Sequence, residues 1–185
     1  LLKAAVARAG IETRRSGIYS SRREVTLQVR SDAPPASGLG SSAALGVAAI
    51  GALSRSTGKQ FLPHEAAREA QRIEVDDLKL ECGVQDQLAS AYGGVNFMEV
   101  EYPNARIFPI PMTPEFRCEM EDRFVLVYTG KSHFSSGMHQ KVISEADQHQ
   151  GDFEALAEAA LHGKESLLRQ DVAGFGAAMN DNWAA

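Results

Sequence analysis

Apolar residues recur along the chain with two periods, and the switches between them predict the order of elements. Residues 1–9 (Leu-Leu-Lys-Ala-Ala-Val-Ala-Arg-Ala) carry the spacing of an amphipathic helix closed by Gly10. At Glu24–Arg30 the period falls to two, with Val25, Leu27 and Val29 alternating with polar neighbours, which predicts a strand. A loop with prolines and glycines then runs into a helix at Ser41–Ser56, apolar nearly all round and therefore expected to be buried. The next helix is expected from Pro63, a residue suited to the first turn, to about Asp77. A shorter one follows Gly83 and runs to about Tyr92, where Gly93–Gly94 ends it. Strands are predicted at Val95–Val100, Ala105–Pro111 and Arg123–Thr129, and helices at Ser136–His149, Asp152–Leu161, Lys164–Arg169 and Gly174–Trp183.

Strand and helix alternate and then give way to a helical tail, which predicts a mixed chain with two lobes. Proline and charged residues cluster at Pro111–Glu121, so the lobes are expected to divide near 112, as 1–112 and 113–185.

Composition narrows the function. The 185 residues are 44% hydrophobic, and no apolar run reaches the ~18 residues needed to cross a bilayer. Asp and Glu outnumber Lys and Arg by 24 to 19, a net charge of −5, whereas a nucleic-acid domain advertises a basic stripe. The Arg14–Arg15 and Arg22–Arg23 pairs are local and read as a solvated loop face. Cys82 and Cys118 lie far apart in no metal-spaced cluster, which suits reduced thiols and a cytoplasmic protein. The chain has no initiator Met, opens inside one apparent helix and stops inside another, so a fragment is expected.

Strand, glycine-rich loop and helix in succession is an arrangement that binds phosphate, because backbone N–H groups at the helix start point at the anion. No Asp or Glu occurs between Asp32 and Glu65, so nothing acidic there repels a triphosphate. Two better-known loops fail. Gly38-Leu39-Gly40-Ser41-Ser42-Ala43 fits the loose dinucleotide pattern but lacks the acidic residue about 20 positions on that would hold the ribose. Gly130-Lys131-Ser132 ends like a P-loop, yet Val125 stands where its first glycine belongs. Without further information, Gly38–Ser42 reads either as a phosphate cradle or as a tight turn capped by serine.

The longer string Pro34-Pro35-Ala36-Ser37-Gly38-Leu39-Gly40-Ser41-Ser42-Ala43-Ala44 resembles the phosphate loop of the galactokinase, homoserine kinase, mevalonate kinase and phosphomevalonate kinase (GHMP) superfamily. Glu74 and the string Cys82-Gly83-Val84-Gln85-Asp86-Gln87-Leu88-Ala89-Ser90-Ala91-Tyr92-Gly93-Gly94 resemble the segment that carries that family's magnesium-binding Glu and catalytic Asp. The Asp-Gln pair and the Gly-Gly-Val-Asn-Phe-Met-Glu strand are most similar to the sugar-kinase branch of heptose 7-phosphate kinases and fucokinase-like proteins.

The resemblance implies an α+β two-lobed GHMP kinase fold, with a partial ribosomal-protein-like N-terminal lobe and the start of an α/β C-terminal lobe. It implies ATP and Mg2+ as cofactors and a sugar or sugar phosphate as substrate, the anomeric hydroxyl of a heptose 7-phosphate being the expected acceptor. Pro35, Ala36, Ser37, Gly38, Leu39, Gly40, Ser41, Ser42 and Ala43 would hold the nucleotide phosphates, Ser42 and Glu74 the metal, and Asp86 would act as general base. A carboxylate is a weak base, so Asp86 would also orient the hydroxyl. Read without the resemblance, Glu74 is a solvated acid beside Asp76 and Asp77, and Asp86 a first-turn acid favoured by the helix dipole.

Two family elements have no counterpart here: the opening strand and loop that contact the sugar, and a late glycine-rich stretch beside the phosphate loop. A fucokinase or galactokinase-like enzyme, and a non-catalytic sensor on the same fold, remain alternatives. A second copy of the chain is kept as a candidate partner; membrane and nucleic acid are not expected. His64, His133, His139, His149 and His162 show no metal spacing.

Overall fold

The computed structural model describes residues 1–9, 26–34, 36–102, 104–131 and 149–185. The chain divides into two compact units, one built on Leu1–Tyr92 and the segment beginning at Gly130, the other on Gly93–Thr129 and the segment ending at Ala185.

The first unit is helical among its described residues. Helices α1 (Leu2–Arg8), α2 (Ser41–Ser56) and α3 (Pro63–Arg72) lead into a π-helical turn at Ile73–Asp77, and α4 (Gln85–Tyr92) follows. Ala43, Gly46, Ala49, Ile50 and Leu53 form the buried stripe of α2, at the three- and four-residue spacing of one helix face. Ala49, Ile50 and Leu53 share a core with Ala5, Ala9, Ala66 and Ile73, edged by Leu27 and Phe61. The alanines let the helix axes come close, so a few large side chains fill the interior. At the start of α3 the Glu65 carboxylate accepts from the Leu62 N–H at 2.8 Å, an N-terminal cap added to Pro63 at the first helical position.

The π-helical turn closes with the Leu78 N–H donating to the Ile73 carbonyl, five residues back, at 3.0 Å. Its widening has a visible result: consecutive residues Ile73 and Glu74 are both buried. Arg8 clasps the turn from α1. Its Nε donates to Asp77 at 2.6 Å, and its Nη atoms reach Asp76, Glu69 and the Arg72 carbonyl at 3.3 Å. That hydrogen bond to Asp77 raises the Arg8 pKa and holds the Asp77 carboxyl below the usual carboxylate range.

In the second unit β1 (Asn96–Glu101) and β2 (Asn104–Pro109) pair as an antiparallel hairpin with Phe97 opposite Phe108. Their rings lie 6.3 Å apart, and the Lys164 ammonium sits 4.1 Å from the Phe97 ring centroid. Among the described residues it also holds helices α5 (Pro114–Arg123), α6 (Gln150–Leu168) and α7 (Val172–Ala184), around Ile110, Phe116 and Leu167.

Several expectations need correction. Helix α2 is one-sided, since Ala44, Ala48, Gly51 and Ala52 face solvent; small apolar residues reach water at little cost, and composition overstated the burial. Helix α5 takes up the Pro111–Glu121 stretch, for which no helix was expected. Its start signal is ordinary: Thr113 accepts from the Phe116 N–H at 3.2 Å and Pro114 takes the first position. The strand expected at Arg123–Thr129 is absent, because Arg123 ends α5 and 124–129 pair with no strand among the described residues. The same holds for 26–30, although Leu27 does point to the core as its alternation requires. An apolar pattern defines a strand's faces, but a strand exists only with a hydrogen-bonded neighbour.

The two helices expected at Asp152–Leu161 and Lys164–Arg169 are one, α6, running through His162 and Gly163. Gly163 marks a close approach to α7, where an added Cβ would stand 3.4 Å from the Phe175 ring. Gly10, the Arg14–Arg15 and Arg22–Arg23 pairs, Glu24, Val25, Pro35, His133, His139 and nearly all of the helix expected at Ser136–His149 lie outside the described residues.

Candidate active site

The site lies within the first unit, where the glycine loop meets the start of α2, the π-helical turn and the start of α4. In the loop, Ala36, Gly38 and Gly40 all take left-handed backbone conformations, with φ of 54°, 78° and 63°. Glycine does so freely, whereas Ala36 carries roughly 1–2 kcal/mol of local strain, of the kind that clusters at ligand-binding turns. Gly40 is the N-cap of α2 and offers no side-chain acceptor to the N–H groups of the first turn, which also contains no acidic residue. The Ser37 hydroxyl is buried with no partner among the described residues. A segment with left-handed glycines, an uncapped helix start and an unsatisfied hydroxyl is suited to an anion.

Ser42, one residue into α2, donates its hydroxyl hydrogen bond to Oε1 of Glu74. Glu74 is only 5% exposed, and its other oxygen accepts from Gln87 Nε2 at 2.6 Å. The Gln87 amide also lies 3.8 Å from the Cys82 sulfur. Burial, reinforced by the Glu74 charge, pushes the Cys82 thiol up to about 11, so it stays neutral.

The partners of this carboxylate are therefore a hydroxyl, an amide and a thiol. Among the described residues no Lys, Arg or His pairs with Glu74. A buried carboxylate is expensive unless a cation or strong donors compensate it. Two hard oxygens, Ser42 Oγ and Glu74 Oε1, converge where a hard cation would be held, and the donor set fits Mg2+, which takes few protein ligands beside waters and phosphates. Among the described residues no group of three or more His, Cys, Asp or Glu side chains is arranged to hold a metal ion.

Asp86 and Gln87 are neighbours in the first turn of α4, about 100° apart around the helix. Gln87 is buried and Asp86 exposed. The Asp86 carboxyl lies against Gly40, where an added Cβ would stand 3.0 Å from Cγ and 3.1 Å from Oδ2. Residues from three distant stretches thus meet: Gly40 and Ser42, Glu74, and Asp86.

Gln87 and Cys82 belong to the quoted string but carry no role that composition or spacing could assign. The available signal was a polar residue one step before Leu88, on the buried face of a short helix.

Residues 2–94 match the profile of the GHMP kinases N terminal domain, a span that contains the loop, Glu74 and Asp86. A D-glycero-alpha-D-manno-heptose 7-phosphate kinase of Campylobacter jejuni is 32% identical over 162 residues, covering 85% of this chain and 48% of that enzyme. A mevalonate kinase of Methanothermobacter thermautotrophicus is 40% identical over 82 residues, 44% of this chain and 27% of that one. Among solved structures, a D-glycero-D-manno-heptose 1-phosphate kinase from Bacteroides thetaiotaomicron superposes with a TM-score of 0.66 at 30% identity, over 83% of this chain and 45% of that chain. The chain thus spans about half the length of the heptose-phosphate kinase it matches. A profile match over half of the chain, with a shared α+β kinase fold, shows that this chain belongs to the GHMP kinase family.

Proposed function

We propose that the protein transfers the γ-phosphoryl group of ATP to a hydroxyl of a sugar or sugar phosphate, with the anomeric hydroxyl of a heptose 7-phosphate as acceptor. The observation that carries this reading is that the glycine loop and the first turn of α2 meet both carboxylates, Ser42 bonding buried Glu74 and Gly40 lying against Asp86. The likeness to heptose-phosphate kinases supports the choice of sugar.

Phosphoryl transfer asks a protein mainly to position reactants and neutralise charge. Residues 36–43 cradle the β- and γ-phosphates through backbone N–H groups and the α2 dipole, Pro35 having no N–H to offer. Ser42 and Glu74 would hold Mg2+, and a bound Mg2+ would supply positive charge against the phosphates. Asp86 orients the acceptor hydroxyl and takes up its proton as the new O–P bond forms and the bond to the ADP oxygen breaks. ADP leaves with the electron pair of the broken bond.

The test is ADP release by the full-length protein with Mg2+ and a panel of heptose 7-phosphate, fucose, galactose and mevalonate. Turnover with heptose 7-phosphate is expected. Turnover with fucose instead would favour the second reading, a fucokinase-type enzyme, supported by 25% identity over 167 residues to an Arabidopsis thaliana bifunctional fucokinase/GDP-fucose pyrophosphorylase. Nucleotide binding without turnover on any acceptor would leave the non-catalytic sensor.

A further inference from the structure

Glu74 has two oxygens and two tasks. One oxygen faces Ser42; the other is held by Gln87 Nε2 at 2.6 Å, the shortest of the amide's contacts. Gln87 is among the largest fully buried side chains of the molecule, at 2% exposure. Its amide is poorly served by this placement, since Oε1 is buried with no partner among the described residues. A buried polar group left half-satisfied calls for an explanation other than its own stability. Leu or Met would fill similar space with nothing left unpaired. What those residues lack is a donor able to grip Glu74.

From this we infer that Gln87 is a positioning residue: it fixes the rotation of the Glu74 carboxylate so that Oε1 is presented beside Ser42 for the metal. The inference rests on the kinase reading above, in which Ser42 and Glu74 hold Mg2+. Two features of the geometry make the role specific. A carboxylate with one oxygen free rotates about its terminal torsion in a broad well, and only a donor on the second oxygen removes that freedom. Gln87 also follows Asp86 directly, so a single turn of α4 places one side chain at the loop and the next on the metal carboxylate. A shift of that turn would disturb both together. The alternative amide orientation would set Oε1 against a carboxylate oxygen and is disfavoured by repulsion.

The test uses the full-length protein, with Mn2+ as a paramagnetic stand-in for Mg2+ and a non-hydrolysable ATP analogue, bound Mn2+ being read by electron paramagnetic resonance. Gln87→Met is expected to weaken Mn2+ binding about 10- to 100-fold, the range typical for loss of a group that orients a metal ligand. Affinity for the nucleotide without metal should stay within about twofold. In the double variant Glu74→Gln/Gln87→Met, the loss should equal that of Glu74→Gln alone, because a merely structural contribution would add instead. Gln87→Asn, which keeps the amide but falls one methylene short, should behave like Gln87→Met. Undiminished Mn2+ affinity in either folded variant overturns the inference, as does additivity in the double variant.

If Glu74→Gln itself leaves Mn2+ affinity unchanged, the metal assignment fails and the inference fails with it. A drop with Glu74→Gln but none with Gln87→Met removes the inference alone. Should neither Gln87 variant fold, the wild-type side-chain amide decides by nuclear magnetic resonance. Its protons should exchange slowly and shift on Mg2+ addition, and an unmoved resonance overturns the role.

Discussion

Gly40 and Asp86, 46 positions apart in sequence, lie so close that a methyl group on Gly40 would stand 3.0 Å from the Asp86 Cγ. This proximity ties the end of the glycine loop to the start of α4, so the proposed phosphate cradle and the group proposed to handle the acceptor are held side by side.

Gly40→Ala should therefore be more damaging than Gly38→Ala. Both positions have positive φ, so each substitution carries roughly 1–2 kcal/mol of backbone strain. At Gly38 the added methyl meets nothing within 4 Å, whereas at Gly40 it displaces Asp86. A displacement of about 1 Å at a reacting group can lower rates about 100-fold, and the shift of Asp86 here, a few tenths of an ångström, should cost less. Steady-state kinetics should show kcat falling about 3- to 10-fold for Gly40→Ala, with Gly38→Ala losing mainly thermal stability. Equal kcat values for the two variants would contradict this.

Asp86→Ala should lower kcat by roughly 100-fold or more, the scale of a lost general base, while nucleotide affinity measured by calorimetry is retained. Asp86 is exposed, so the fold should tolerate the change. Wild-type turnover in this variant would remove Asp86 from the mechanism.

Arg8 makes the opposite kind of contribution, to stability with pH dependence. Its hydrogen bond keeps the Asp77 carboxyl below its ordinary range in the folded state. The folded protein then binds this proton less readily than the unfolded chain, so the stabilisation is present above about pH 4 and is lost as pH falls through the folded pKa. Arg8→Ala should melt several degrees lower than wild type at pH 7, about 2–8 °C, and the gap should narrow below pH 4. Calorimetry across pH 2.5–7 (a range chosen to bracket about pH 4) measures this. A gap independent of pH would show that Asp77 is not the partner that matters.

The two cysteines should differ in reactivity. With the Cys82 thiol at about 11, roughly one molecule in a thousand carries the thiolate at about pH 8 in metal-free buffer. Cys118 is exposed. Iodoacetamide followed by peptide mass spectrometry should label Cys118 early and Cys82 slowly, and Glu74→Gln should speed Cys82. Rapid labelling of Cys82 in the intact fold would argue against its burial beside Glu74.

Much of the helical order was legible in the chain itself. Helix α2 runs over Ser41–Ser56 as its pattern predicts, the next helical stretch runs from Pro63 to Asp77 with its last five residues as the π-helical turn, and α4 follows Gly83 and stops before Gly93–Gly94. The strand expectations fared unevenly. Those at β1 and β2 hold because the hairpin supplies both partners locally, within 14 residues from Asn96 to Pro109. Those at 26–30 and 124–129 lack a paired neighbour among the described residues, and apolar alternation cannot supply one. The helix at Pro114–Arg123 was hidden by its composition: its single buried residue, Phe116, makes almost no periodic face.

What the sequence alone determined is the chemistry of the parts: a glycine loop entering a helix with no acid nearby, and two strings carrying Glu74 and Asp86. These are local properties, set by backbone freedom at glycine and by the charge and donors of individual side chains. Only the tertiary structure decided that Glu74 is not a solvated acid of a helix end. A π-helical turn folds it inward onto Ser42, and Gln87 reaches it from the next helix, bringing residues 32 and 13 positions away to one carboxylate. Such a meeting depends on how helices pack, and packing is fixed by the shapes of many side chains at once rather than by any single stretch of chain.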